Sequence, residues 1–147
     1  MLVDSWSRKG EWPSNSAKYK ITLEACDRLC RRKNLILDNG IKVLLTLDKV
    51  VNFKNGDALK LENGSWVEII AAKEKVINIL SYNNEHQSLL AWHLGNRHLA
   101  VQIIDEKKIR IEYDHVILDM LKGLKAELDI TNDIFEPELG AYGSHNH

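Results

Sequence analysis

Two Asn-Gly turns constrain this chain most. Asp38-Asn39-Gly40 lies between Leu35-Ile36-Leu37 and residues 41–47, and Glu62-Asn63-Gly64 lies between residues 57–61 and 65–70. Asn-Gly tolerates the positive φ of a tight hairpin turn, so each run–turn–run predicts two antiparallel strands. In the second hairpin, Trp66, Glu68 and Ile70 alternate with Val67 and Ile69, the period of a strand covered on at least one face. Ile21-Thr22-Leu23 reads as another short strand. Residues 1–72 therefore form a small all-β unit without a catalytic grouping, suited to scaffolding or to gripping a polypeptide partner. Residues 24–32 are the least legible stretch. As a turn of helix they would put Cys26 and Cys30 on one face, with packing the expected role, since no histidine or second cysteine pair accompanies them.

From Ala71-Ala72-Lys73 the rhythm changes to strands alternating with helices, which places a domain boundary there. Residues 75–80 read as a strand, and Asn84 with Gln87 supplies a capping box for a helix carrying Leu89, Leu90, His93 and Leu94. Residues 100–104 and 109–112 read as strands around the charged turn 105–108. Asp114 caps a second helix with Val116, Ile117, Met120, Leu121 and Leu124 on its apolar stripe, and residues 127–130 make a last strand. The order β-α-β-β-α-β is the split βαβ pattern of a ferredoxin-like sandwich. The expected fold is thus α+β, with an all-β domain (1–72), a ferredoxin-like domain (73–138) and a short flexible histidine-containing tail (139–147).

The change of period centres on LLAWHLGNRHLAVQII, residues 89–104, where two histidines frame Gly95-Asn96-Arg97. If the helix runs that far, Leu90, Leu94 and His98 share one face. His93 does not, because five residues at about 100° each turn it roughly 140° away from His98, so the two cannot chelate one ion as an i, i+4 pair would. His98 reads either as a polar helix end, its charge favoured by the helix dipole, or as a metal ligand in need of partners. His93 reads as helix packing or a neighbour of Arg97, and His86 as solvated. His115, beside Asp114, is either a surface residue or an outer ligand.

Charge bears on the choice. Of 147 residues 28% are charged and 44% hydrophobic, a globular composition, and the net charge of −1 argues against a nucleic-acid binder. Residues 1–72 carry 12 Lys+Arg and 9 Asp+Glu, whereas residues 73–147 carry 8 and 12. All six histidines fall in the acidic half, where a cation is attracted and ligated. Neither a signal peptide nor a run of about 18 apolar residues occurs, so a cytosolic protein without a membrane segment is expected. A metal-dependent hydrolase would need about three ligands and a general base, and no HExxH grouping is present. A metal-free interaction module with pH-sensitive histidines stays open as an alternative.

Taken as a set, His93-Leu-Gly-Asn-Arg-His98 followed by AVQI, Asp114-His115-Val116 with Asp119-Met120-Leu121, and Phe135-Glu-Pro-Glu-Leu-Gly-Ala-Tyr142 before a histidine-containing end resemble the urease accessory nickel chaperones, the UreE family. The likeness spans about residues 30–147 and includes the Asp-Asn-Gly hairpin and the Asn-Gly-Asp turn at 55–57. It implies a cytoplasmic homodimer whose amino-terminal β domain contacts urease apoprotein and accessory proteins, including the accessory GTPase. It also implies a ferredoxin-like domain that dimerises and binds Ni²⁺. In that family the histidine matching His98 lies at the dimer two-fold as principal ligand, and tail histidines, here His145 and His147, add to it. Phe135 and Tyr142 are expected to dock the chain end. This chain ends in His145-Asn146-His147 rather than the long histidine run of some relatives, and it has Tyr113 where some carry another histidine. Imidazole also suits Cu²⁺ and Zn²⁺, so binding of either in vitro is expected. An isologous two-fold explains how a lone His98 gains a partner, since a residue near the axis meets its own copy.

Overall fold

The computed structural model describes residues 1–139, so His145, His147 and Tyr142 lie outside the described residues. The chain divides into two compact units, Met1–Ala72 and Lys73–Glu138.

The first unit is a six-stranded mixed sheet of β1 (Leu2–Ser7), β2 (Ala17–Leu23), β3 (Leu29–Ile36), β4 (Lys42–Asn52), β5 (Ala58–Leu61) and β6 (Trp66–Ala71), in the order β2-β6-β5-β1-β4-β3. Both predicted hairpins are present: β3 pairs antiparallel with β4, and β5 with β6. Gly40 and Gly64 take φ of +93° and +86°, the left-handed conformation that makes glycine the natural residue there. Val67, Ile69 and Ala71 are buried while Trp66, Glu68 and Ile70 are only partly so, as the alternation predicts. Val3, Leu45, Leu59 and Phe53 complete the core with them.

Helix α1 is a single turn, Ala25–Arg28, because the Arg28 side chain is drawn inside. Its Nε donates to the Phe53 carbonyl (3.2 Å) and Nη1 to that of Leu23 (2.9 Å), with 1% of the residue exposed. The chain then enters β3 at Leu29. Cys26 and Cys30 therefore share no helix face: Cys26 is exposed and Cys30 buried, where desolvation pushes its thiol pKa up. Asp57, 1% exposed, accepts from Arg8 Nη1 (2.7 Å), Lys9 N–H (3.0 Å) and Lys54 N–H (2.7 Å), fastening the 54–57 turn.

The second unit runs β7 (Lys73–Leu80), α2 (Asn84–Asn96), β8 (Gln102–Ile103), β9 (Lys108–Glu112), α3 (His115–Gly123) and β10 (Glu127–Ile134). Its sheet has the order β10-β7-β9-β8 with every neighbouring pair antiparallel, which is the ferredoxin-like arrangement. One face holds the core: Ile77 and Ile79 of β7 and Ile109 and Ile111 of β9 meet Leu90 and Leu94 of α2 and Ile117 and Leu121 of α3. Each of these leucines contributes on the order of 2–5 kcal/mol against truncation to alanine. Several local details depart from the sequence reading. The cap of α2 is Asn83, whose side chain accepts from His86 N–H (2.8 Å), one residue before the expected Asn84. Strand β8 is two residues long rather than five, β10 extends to Ile134, and Val116 is 62% exposed, so it is not part of the buried stripe.

Candidate metal centre

The second unit builds its histidine end from the termini of both helices. Helix α2 stops at Arg97, and the closing bonds run from Leu99 N–H to Leu94 O (3.2 Å) and from His98 N–H to Gly95 O (2.9 Å). This is the Schellman pattern, and it places His98 at the residue beyond the cap with φ +57°, a position glycine usually fills. His98 therefore does not continue the Leu90–Leu94 face. It stands off the helix end, exposed, while Leu90 and Leu94 are buried. A left-handed conformation costs a residue with a Cβ about 1–2 kcal/mol, and the sequence accepts that cost at an exposed imidazole. Among the described residues the other non-glycine at positive φ is Lys125, which follows α3 in the same geometry.

His115 is the first residue of α3, exposed. The neighbouring Asp114 Oδ1 accepts from Val116 N–H (2.9 Å) and Ile117 N–H (3.1 Å), so that carboxylate serves as the predicted helix cap. His93 is half-buried against the Trp92 ring (5.0 Å, edge-on), and its carbonyl accepts from Arg97 Nη1 (3.3 Å). His86 is not simply solvated. Its Nδ1 accepts from Tyr82 N–H (3.0 Å), its Nε2 lies 3.0 Å from the Leu124 carbonyl, and Tyr82 stacks on the ring. Accepting at one nitrogen and donating at the other is the hydrogen bonding of a neutral imidazole, so His86 is committed to joining the start of α2 to the end of α3.

Topology gathers the rest. Strand β7 starts at Lys73, α2 returns toward that end, β9 finishes there with Glu112 beside Val76, and β10 finishes there with Ile134 beside Lys73. His98, His115 and the segment after Ile134 consequently lie at one end of the unit. The two histidines are not joined by further ligands: among the described residues no group of three or more His, Cys, Asp or Glu side chains is close enough to hold a metal ion. On α2, leading into this end, Leu89 and Trp92 are 47% and 61% exposed and three residues apart, so they share a helix face.

Two family models match the chain: the UreE urease accessory protein N-terminal domain over residues 7–72 and its C-terminal domain over residues 74–147. The chain belongs to the UreE family. UreE relatives are similar along nearly all of it. The urease accessory protein UreE of Rhizobium rhizogenes is 46% identical over 138 residues, covering 92% of this chain and 82% of that protein. That of Agrobacterium fabrum is 44% identical, covering 92% and 85%, and that of Rhizobium etli 47% identical, covering 90% of this chain and 65% of the relative. The family is one of accessory proteins rather than enzymes, which sets aside the metal-dependent hydrolase. Among the described residues no helix is long and apolar enough to cross a membrane.

Proposed function

We propose that this UreE-family protein carries Ni²⁺ for assembly of the urease active site, holding the ion between two copies of the chain through His98 of each. The observation that carries this reading is the strained, exposed His98 at the end of α2. A glycine would close the helix more cheaply, and an imidazole there with no cluster of metal-ligating side chains around it among the described residues suits a ligand that is completed by symmetry. The exposed Leu89 and Trp92 on the same helix support a homodimeric contact around that end.

His145 and His147 complete the site. His145 is seven residues beyond Glu138, within a chain reach of at most about 25 Å, and Glu138 bonds to Val101, three residues from His98. His115, at the same end, is an outer ligand. In this division of labour residues 1–72 grip urease apoprotein and the accessory proteins, including the accessory GTPase. Residues 73–138 dimerise and bind metal, and residues 139–147 contribute His145 and His147. A few-ligand site open at the surface fits a carrier that must release its cargo in the cytoplasm. Cu²⁺ and Zn²⁺ bind the same imidazoles in vitro, and neither nucleic acid nor membrane takes part.

Equilibrium dialysis with Ni²⁺ at neutral pH tests the reading. Tight binding that His98→Ala abolishes supports it; no stoichiometric binding by the wild type favours the metal-free, pH-sensitive interaction module instead.

A further inference from the structure

The two edges of the second sheet are finished differently. At β8 the edge is covered by the chain that follows β10: Glu136 N–H donates to Gln102 Oε1 (2.9 Å), Glu138 N–H to the Val101 carbonyl (2.8 Å), and Glu138 Oε1 accepts from Ile103 N–H (3.3 Å). Arg110, 7% exposed, fastens the start of that segment. Its Nε donates to Asn78 Oδ1 (2.7 Å), Nη1 to the Ile134 carbonyl (2.6 Å) and Nη2 to Asp133 Oδ2 (3.2 Å), and Phe135 beside it is 2% exposed. Strand β10 forms the other edge, paired with β7 in unbroken register from Glu127 beside Leu80 to Ile134 beside Lys73. Among the described residues nothing pairs with the outer side of 127–132. Alternate residues of an edge strand point their N–H and C=O away from the neighbouring strand, so these six residues present a row of open donors and acceptors about 20 Å long. Neither a proline nor a bulge interrupts 127–132, and only its charges guard it.

The side chains select what fits beside this edge. On the helix face the rows Ile111–Ile77–Ile130 and Ile109–Ile79–Leu128 run outward from the core. Ile77 is fully buried and Ile111 is 2% exposed, whereas Ile130 is 44% exposed, so the apolar row stops one strand short. On the other face stand Glu127, Asp129, Thr131 and Asp133. Asp133 is engaged by Arg110, and the other ion pairs among the described residues are Arg8–Asp57 and Lys33–Asp27, so Glu127 and Asp129 carry charge that no cation offsets. A second copy of β10 would set carboxylates against carboxylates, which disfavours self-pairing. Lysine or arginine beside Glu127 and Asp129, with an apolar side chain beside Ile130, is the favourable complement. We propose that β10 is a docking edge for an extended segment of another polypeptide in which Lys or Arg alternates with apolar residues, added to the sheet as a further strand. This is a second protein contact, on the unit that carries the histidines and separate from the one assigned to residues 1–72, and it requires no metal. Because β10 finishes at the end of the unit that holds His98 and His115, the added strand leads its owner toward that end.

The test uses the full metal-free chain and short end-blocked peptides: alternating Lys and Val, alternating Glu and Val, and a block peptide with the lysines gathered at one end. Fluorescence anisotropy reads affinity, and amide hydrogen exchange reads location. The alternating Lys–Val peptide should bind and slow exchange at alternate amides within 127–132, whereas the block peptide should leave those amides unprotected. Glu127→Lys with Asp129→Lys should weaken the Lys–Val peptide about tenfold and take up the Glu–Val peptide instead. Glu127→Gln with Asp129→Asn, which keeps an acceptor for Asn78 Nδ2, should give a smaller loss with an unchanged unfolding midpoint. No binding of the Lys–Val peptide, equal binding by the wild-type and charge-reversed chains, or protection of amides elsewhere but not on β10 overturns the docking edge. Protection of the β10 amides without peptide that fades on dilution also overturns it, by giving the edge to a second copy. None of these outcomes bears on the nickel reading, which metal binding alone decides.

Discussion

Replacing His98 by glycine should make the metal-free protein more stable while destroying its nickel response. His98 has φ +57° at the residue closing the Schellman turn of α2, and relief of that conformation is worth about 1–2 kcal/mol. Glycine gives back about 0.5–1 kcal/mol through its freer unfolded chain. The net gain is about 0.5–1 kcal/mol, which for a unit the size of Lys73–Glu138 raises its unfolding midpoint by roughly 2–8 °C. Alanine keeps the strained backbone, so His98→Ala should unfold close to wild type. Thermal unfolding followed by circular dichroism, with and without Ni²⁺, gives the four comparisons required. Without metal the order is Gly above Ala and wild type. With saturating Ni²⁺ wild type alone rises, because only a bound ion shifts its equilibrium. A glycine variant no more stable than the alanine one would refute the strained position of His98. A glycine variant that still gains stability from nickel would place the main site elsewhere.

Deleting residues 144–147 should weaken nickel binding or lower the number of ions per dimer, while sedimentation of the metal-free protein still shows a dimer; a monomer would make the tail structural. Acidification should expel nickel more steeply than one proton per ion, because two imidazoles must each give up the ion for a proton, approaching about a hundredfold per pH unit. Cys26→Ser with Cys30→Ser should leave that dialysis curve unmoved, whereas a thiolate site would lose it. Because burial raises the Cys30 pKa, the unfolded chain loses this proton first as pH climbs past the usual thiol range. Cys30 therefore lowers stability above about pH 9, a decline that urea titrations should find flattened in Cys30→Ala. Asp114→Ala, which strips the cap of α3, should cost about 1 kcal/mol in the same titration, and an unchanged midpoint would deny the cap its role.

Both hairpins of the first unit were legible because Asn-Gly turn chemistry is local, and the βαββαβ order was legible because the apolar period switches between two and 3.6 residues. What escaped is set by residues far apart. Strand β1 contacts β4 and β5, some forty to sixty residues away, and nothing within its own six residues marks it as a strand. Helix α1 stops after one turn because Arg28 finds the carbonyls of Leu23 and Phe53. At the histidine end, Gly95-Asn96-Arg97-His98 hides the stop, since the left-handed residue is the histidine and not the glycine. His86 looked solvated because its partner, the Leu124 carbonyl, is 38 residues away. Phe135 was legible as a docking residue, but the Arg110 network that seizes the chain beside it was not. Its members are spread over three strands whose register the sequence does not state.

In the proposed site one nickel ion sits between two His98 side chains. Native mass spectrometry of the full chain titrated with Ni²⁺ tests it most directly, because it reads ion count and chain count on the same particle. The expected particle is a dimer whose first and tightest ion is single, and whose His98→Ala counterpart remains a dimer without that ion. One tightly held ion on each monomer, or a His98→Ala dimer that retains its ion, would contradict it.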